Sequence, residues 1–548
     1  MKNLMFVSGW RAVAANSAFY CALFLLAGPP VAAGAVPASP LKIGYVLQLA
    51  CPSSHLIGVK IAVTGIRQPS VDLEMPAWAP GRYAVYNFAK NVQQFEALGA
   101  GGQPLSWKTT DKQTWHVATH GSGASITIHY RVFANDLTGS FSQFDTTHAA
   151  VNGAGVYMYV AGHKSDPVSL RVELPAGLPK PWLIYSGFSL VPSQTAFEAA
   201  NYDRLIDTPI EASSGCEEVQ FHDHGKLFRV VVHAYGDGSE GGGQWAADIA
   251  RDLRKIVHCE MSIMPPPDFQ AYTFLFHLSP FVSEGDGMEH LNSTDIIIRG
   301  VAGPDTRSEA LQIAAHEFFH LWNVKRLRPA GLGPFDYEHE VYTRSLWFAE
   351  GLTNYYSYVG LLRAGIWTPR KFLDRLARET HQFRQEPGRR LVSAEQSSFD
   401  AWYYDRAPQM QETNFANATI SYYNKGALLG LLLDLDVRER TNGRKSLDDV
   451  LRAMYQTFYG APPSTYYLPG RGYTERDILD ALNRVSGTDF TPFFERYVEG
   501  TDPLPFASIL GAAGLRMIAQ AAPGSPPSLG IITQPVDTGI RIISIPPG

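Results

Sequence analysis

The sequence predicts a multidomain α+β protein, and three textures along the chain predict it. From about Leu41 to about Glu211, short strand-like runs are broken by Gly, Pro, Asn and Asp; after about Ser214, strands alternate with long helices; beyond Tyr356 the pattern is mainly helical. At 548 residues the chain is too long for a single hydrophobic core. The expected divisions are a leader at 1–35, a β-rich N-terminal domain at 36–212, an α/β domain at 213–356, a helical domain at 357–503 and a short strand-like segment at 504–548.

In the leader, Lys2 and Arg11 precede an apolar stretch from Ala18 to Gly28, and Ala33-x-Ala35 follows as a small-residue cleavage site. That is the pattern of a cleaved signal peptide, so the mature chain is expected to be secreted or periplasmic, with no stable membrane span. Hydrophobic residues at 45% and charged residues at 18% describe a soluble globular protein. A formal net charge of -6 leaves no electrostatic footprint for nucleic acid. Cys51, Cys216 and Cys259 remain after Cys21 leaves with the leader, so at most one internal disulfide is expected and one thiol is left over.

The N-terminal domain is expected to be of sandwich type, with Leu56–Val63 and Ala124–Val132 as typical strands. In the α/β domain, Trp245–Cys259 reads as a helix, and Phe269–Leu278 and Thr294–Arg299 as buried strands, with the Gly285–His290 loop between them. Leu361–Gln385 and Lys425–Arg440 are the next helices. Ser446 with Asp449, Thr474 with Asp477, and Thr491-Pro492 open three more, the last stopping at Gly500.

The chemistry lies in His316-Glu317-Phe318-Phe319-His320. Thr306 with Glu309 resembles a capping box, and neither Gly nor Pro interrupts the run before Pro329, so the segment reads as a helix. Four residues make slightly more than one turn, which puts both imidazoles on one face as a zinc clamp. Glu317 is rotated about 100° from the first histidine and is placed to act as a general base on water. A catalytic zinc needs a third protein ligand and an open position, and Glu350 in Leu346-Trp347-Phe348-Ala349-Glu350-Gly351 supplies a carboxylate on a following helix. One zinc per chain is expected. Peptide hydrolysis further needs a donor for the oxyanion, and an exopeptidase needs an anion to hold the substrate ammonium.

The Trp-x-x-Glu-Gly setting of Glu350 resembles the third-ligand helix of the gluzincin metallopeptidases, which include thermolysin and the zinc aminopeptidases. Ser421-Tyr422-Tyr423-Asn424-Lys425-Gly426 resembles the place from which zinc aminopeptidases present a tyrosine hydroxyl, which implies Tyr423 as the donor, with Tyr422 as the alternative. Gly287-Met288-Glu289-His290 resembles their exopeptidase loop, with the glycine here directly before the methionine, and implies Glu289 as the ammonium anchor.

Together with Trp78-x-Pro80-Gly81-x-Tyr83, His316 through Pro329, Ser397-Ser398-Phe399-Asp400-Ala401-Trp402 and Tyr497-Val498-Glu499-Gly500-Thr501-Asp502, these motifs resemble the glycyl aminopeptidases from about Leu41 to about Leu515. That resemblance implies a thermolysin-like zinc catalytic domain, a helical domain completing the active site, a C-terminal PDZ domain, and removal of N-terminal Gly or Ala from peptides with a free N-terminus. A PDZ domain needs roughly 80–100 residues, so the 504–548 segment is expected to be a truncated or degenerate PDZ-like piece. The rival readings are a zinc endopeptidase of the same class, in which Glu289 is incidental, and a non-catalytic peptide-binding scaffold.

Overall fold

Alternation decides the N-terminal domain. In the computed structural model, which describes residues 40–119, 125–235, 242–404, 415–518, 532–536 and 539–544, every second residue of Lys42–Gln48 is buried, and so it is along most of Leu56–Thr64. The segment 1–35 expected to be a leader lies outside the described residues. Leu56–Thr64 pairs antiparallel with Ser125–Phe133, setting Ile57 opposite Val132 and Ile61 opposite Ile128 on one buried face. Burying each such side chain contributes about 1.5–3 kcal/mol. The six-stranded sheet runs in the order Ala196–Ala199, Val168–Glu173, Lys42–Gln48, Leu56–Thr64, Ser125–Phe133, Val92–Gly99. Two four-stranded sheets accompany it, one of them built from Leu183–Ser186, Ile210–Ser213, His148–Val151 and Gln143–Phe144.

The α/β domain holds a five-stranded sheet in the order Glu217–Asp223, Lys226–Ala234, Ala271–Ser279, Ser293–Arg299, Asp286–Glu289, with its central pairs parallel. Such strands are covered on both faces. Phe228, Phe274 and Phe276 meet Phe318 and Trp245 of the helices Pro304–Phe319 and Gly242–Ile263. On the other face Val231 and Leu275 cluster with Tyr185, and Ile297 with Ala150, so the small sheet of the N-terminal domain covers that side.

Several expectations need correction. The histidine helix spans Pro304–Phe319, not a run from Thr306 to Pro329. Pro304 takes the first turn, where its missing N–H is no loss, and the Thr306 hydroxyl accepts from the Gly303 N–H at 3.1 Å rather than capping as the first residue. The helix stops at its second histidine because Val324 turns to φ 127 and the Lys325 N–H returns to the His320 carbonyl at 3.0 Å. The segment around Glu289 is no loop: Asp286–Glu289 is the antiparallel edge strand, with Glu289 opposite Thr294. The expected Leu361–Gln385 helix is two, Leu352–Arg363 and Pro369–Gln385, since Gly365 turns left-handed at φ 70 and Thr368 caps the second ahead of Pro369.

The helix opened by Thr491-Pro492 becomes a π-turn at Phe494–Val498, and a further helix, Phe506–Ala512, follows it. Beyond that, the described residues form an antiparallel hairpin, Ile532–Val536 with Gly539–Ser544, which by itself does not identify the expected PDZ-like piece. Cys51, Cys216 and Cys259 are all free, which lies within the expected limit of at most one internal disulfide. No helix of the described residues is long and apolar enough to cross a membrane.

Candidate active site and metal centre

The donor atoms of His316, His320 and Glu350 form a triangle. The two Nε2 atoms are 2.9 Å apart, and Glu350 Oε2 lies 3.1 Å from His320 Nε2 and 3.6 Å from His316 Nε2. Ligands of a tetrahedral zinc bound at its usual distances stand about 3.3 Å from one another. The three residues therefore fit zinc as they stand. His320 and Glu350 are almost wholly buried, while the His316 side chain keeps 13% exposure.

The motif residues after His320 explain why the triangle is rigid. His320 Nδ1–H donates to the Asn323 carbonyl at 2.7 Å, which leaves Nε2 facing the centre. Asn323 in turn donates from Nδ2 to the carbonyls of Phe348 and Ala349 and to Thr353 Oγ1. Trp347–Gly351 is a π-turn, whose wide pitch frees carbonyls from the ordinary helical ladder, and Asn323 satisfies them. One asparagine thus ties the turn after the second histidine to the turn that carries the third ligand. The Ser398 hydroxyl accepts from the Trp347 N–H at 2.9 Å, which gives the Ser397–Trp402 motif its place beneath Glu350. Lys325 and Arg326 reach out to Asp207 and Asp268.

Glu350 has a partner that sequence reasoning missed. Tyr83 donates its hydroxyl to Glu350 Oε1 at 3.1 Å, in buried surroundings, from the N-terminal domain. The Trp78–Tyr83 segment carried no chemistry in the sequence; its signal was only an unusual density of aromatic and rigid residues. Trp78 Nε1 donates to the Asp336 and His339 carbonyls, and Trp402 packs edge-on to both Trp78 and Tyr83, so the loop is pinned on two sides. An outer partner of a metal ligand is worth about 10–100-fold in metal affinity. Tyr83→Phe is therefore expected to weaken zinc by that factor, read by competition with a chelator; unchanged affinity overturns this role.

Burial alone would raise the Glu350 carboxyl, but contact with His320 first, and then His316, holds it well below the usual carboxylate range. It is committed to the ionised form that ligates a cation. Glu317 lies in the same pocket, where burial pushes it up to about 8 against the pull of His320. Its carboxylate sits against the edge strand: a Cβ on Gly287 would fall 2.3 Å from Glu317 Oε1 and 2.7 Å from Ile313 Cγ2, so a larger residue there pushes the Glu317 carboxylate aside. Glu289, Glu317 and His320 bring their donor atoms within 4.8 Å of one another. Gly81, at φ +90, is equally constrained, since a Cβ there would fall 2.6 Å from Glu289 Oε2. Arg82 donates to Asp286 Oδ1 and to the Gly287 carbonyl, so the front loop and the edge strand form one wall.

The tyrosine pair opens the helix Tyr422–Arg440. Tyr423 is half-buried with its ring centroid 6.2 Å from that of His316, whereas Tyr422 is buried against Tyr83. This helix meets the ligand turn backbone to backbone: a Cβ on Gly351 would lie 2.5 Å from Gly426 Cα, and one on Gly426 would lie 2.2 Å from the Trp347 carbonyl oxygen. The Glu-Gly and Tyr-x-Lys-Gly signatures are two halves of one contact. Buried Lys425, pushed down to about 8 by desolvation, reaches the Gly500 carbonyl at 3.3 Å and ties in the Tyr497–Asp502 motif. Every residue singled out for the site is thus gathered around one centre.

Comparison with known proteins bears on this arrangement. Residues 44–214 match the Peptidase M61 N-terminal domain, and residues 309–429 match the M61 glycyl aminopeptidase domain. No curated protein matches the chain in sequence. Among solved structures, an aminopeptidase N family protein from Idiomarina loihiensis is similar with a TM-score of 0.81 and 26% identity, over 92% of this chain and 86% of that one. An M1 zinc metallopeptidase from Deinococcus radiodurans shares the fold with a TM-score of 0.51 and 14% identity, over 85% of this chain and 96% of its own. The architecture is accordingly a multidomain α+β one, with a β-rich front and a helical rear, and the enzyme is a zinc-dependent metallo-aminopeptidase. With the family's two domains matched over more than half of the chain, and with the histidine helix, ligand turn and tyrosine helix meeting inside the second, the chain belongs to the M61 glycyl aminopeptidase family.

Proposed function

We propose that the enzyme removes an N-terminal Gly or Ala from peptides with a free N-terminus. His316, His320 and Glu350 hold one zinc at this centre, Glu317 is the general base, Tyr423 is the oxyanion donor and Glu289 accepts the α-ammonium. When bound, zinc supplies Lewis-acid polarisation and brings the proton affinity of water toward neutrality. Glu317 takes the proton of the attacking water and passes it to the departing amine. The Tyr423 hydroxyl donates to the carbonyl oxygen as its charge develops, so its effect belongs to the transition state. Glu289 sets the reading frame: an ammonium held there brings the first peptide bond, and no later one, to Glu317.

The observation that carries this reading is the position of Glu289, a buried carboxylate whose donor atoms stand within 4.8 Å of those of Glu317 and His320. Beside it, Trp78, Pro80, Gly81, Tyr83 and Lys325 help to line a cavity of about 20 Å³, room for one water or a methyl group, which supports a preference for the smallest N-terminal side chains. A mutant of the Deinococcus radiodurans enzyme is bound to a Tyr-Ser-Ala substrate, and the shared fold supports a peptide ligand here. The leader pattern at 1–35 supports action in the periplasm or outside the cell.

Glu289→Ala tests the exopeptidase reading. Stranding one partner of a buried ion pair costs about 2–5 kcal/mol, so kcat/KM for Gly- and Ala-anilides is expected to fall by about 10²-fold or more. If wild type instead cuts N-acetylated peptides internally and Glu289→Ala affects free and blocked substrates equally, the enzyme is an endopeptidase. Tyr423→Phe is expected to lower kcat by about 10²-fold with a smaller change in KM. The same pattern in Tyr422→Phe, and not in Tyr423→Phe, transfers the donor role to its neighbour.

A further inference from the structure

Away from the active site, where the small sheet of the N-terminal domain lies on the catalytic sheet, four ligand-type residues converge. His148 and Glu211 come from the paired strands His148–Val151 and Ile210–Ser213; His233 and His277 stand opposite each other on the parallel strands Lys226–Ala234 and Ala271–Ser279. All four are buried, with exposures of 1%, 1%, 5% and 1%, and one donor atom from each lies within 4.8 Å of the others.

The outer atoms of two of these imidazoles already have partners. His148 Nε2 lies 3.0 Å from Gln143 Oε1, and His277 Nε2 lies 2.8 Å from Asp295 Oδ1. Both Nδ1 atoms face Glu211, at 3.1 Å for His148, within hydrogen-bond range, and at 3.8 Å for His277. The second distance is too long for a hydrogen bond, and His277 Nδ1, fully buried, has no other partner. A buried imidazole nitrogen without a partner, beside a carboxylate and two further imidazoles, is a place that a cation fills. Protonating both His148 and His233 does not supply it, because the two rings stack with centroids 3.9 Å apart; a proton on His277, between Asp295 and Glu211, is the arrangement that competes with a metal.

We infer that His148, Glu211, His233 and His277 form a second, structural zinc site that fastens the N-terminal domain to the catalytic sheet. Three neutral imidazoles and one carboxylate make a complete tetrahedral set with no open position, which marks a structural rather than a catalytic centre. Asp295 behind His277 is the carboxylate that orients a metal-bound histidine. The donors close to zinc distances by a small inward shift of side chains. The consequence reaches the active site, since the domain fastened here is the one that delivers Tyr83 to Glu350.

The test counts metal. Zinc-loaded wild type, dialysed against metal-free buffer, is expected to hold about two zinc ions per chain, and His316→Ala/His320→Ala, with its fold checked by circular dichroism, about one. Cobalt loaded into that double variant is expected to show the intense visible bands of a four-coordinate ion. Adding His277→Gln should remove both the zinc and the bands. The inference is overturned if the folded double variant holds no zinc, or if its zinc survives His277→Gln unchanged. Should the triple variant not fold, zinc content and the cobalt spectrum of the double variant decide: a six-coordinate spectrum also overturns the site. Loss of the catalytic zinc assignment would leave these outcomes untouched, because they are read in a protein without that centre.

Discussion

Glu317→Gln is expected to keep its zinc and its fold while kcat falls by about 10²–10⁴-fold, the range that a positioned general base contributes. The amide is nearly isosteric with the carboxyl, and the glycine wall at Gly287 that admits one admits the other. What the amide lacks is proton affinity. Burial raises the proton affinity of the carboxyl, so it can take a proton from water and pass it to an amine, whereas no side-chain amide does so near neutral pH. Steady-state kinetics on Gly-anilide, with zinc content measured on the same preparation, checks the prediction. Turnover within a few-fold of wild type would mean that another group, with Glu289 the nearest candidate, accepts the proton.

Glu350→Gln and His320→Ala are expected to weaken zinc by more than the roughly 10–100-fold that loss of Tyr83 would cause, because each removes one of three ligands rather than a group behind one. The two differ in what they leave. His320→Ala opens a hole beside Asn323, whose side chain still holds the ligand turn, so the damage stays at the metal. Glu350→Gln keeps the shape of the turn but removes the ionised group that His316 and His320 face, at 3.6 and 3.1 Å. Chelator competition at limiting zinc should rank Tyr83→Phe above both. Full occupancy in either ligand variant would remove that residue from the centre.

Much of this site was legible because its parts are local. Two histidines four residues apart on a helix must share a face whatever surrounds them, and the residue after the first must lie beside the metal rather than on it. The strands Leu56–Thr64 and Ser125–Phe133 were equally legible, since alternation between core and solvent is written in every second residue. Boundaries were less so. The histidine helix stops at Phe319 because of a left-handed Val324, which no propensity favours and which the contacts of Asn323, Lys325 and Arg326 impose. The edge strand at Asp286–Glu289 reads as a glycine-rich loop because its pairing partner, Ser293–Arg299, supplies the order that its own residues lack.

From the sequence alone came the proposed metal chemistry: the histidine pair and the glutamate between them follow from helical spacing, and the later carboxylate from ligand type. Tertiary structure decided what no spacing contains. Tyr83 lies 267 residues from Glu350 and meets it only because a loop of the N-terminal domain is wedged by Trp78 and Trp402 against the catalytic domain. Glycines at 81, 287, 351 and 426 look like flexible punctuation in the chain, yet each marks a place where another element comes too close for a Cβ. The four-residue cluster of His148, Glu211, His233 and His277 has no sequence signature at all, since its members alternate with ordinary strand residues and are assembled by two sheets packing face to face. Contacts along one helix follow from the covalent chain; contacts between distant elements follow from how whole surfaces bury one another, and that is settled only by the complete fold.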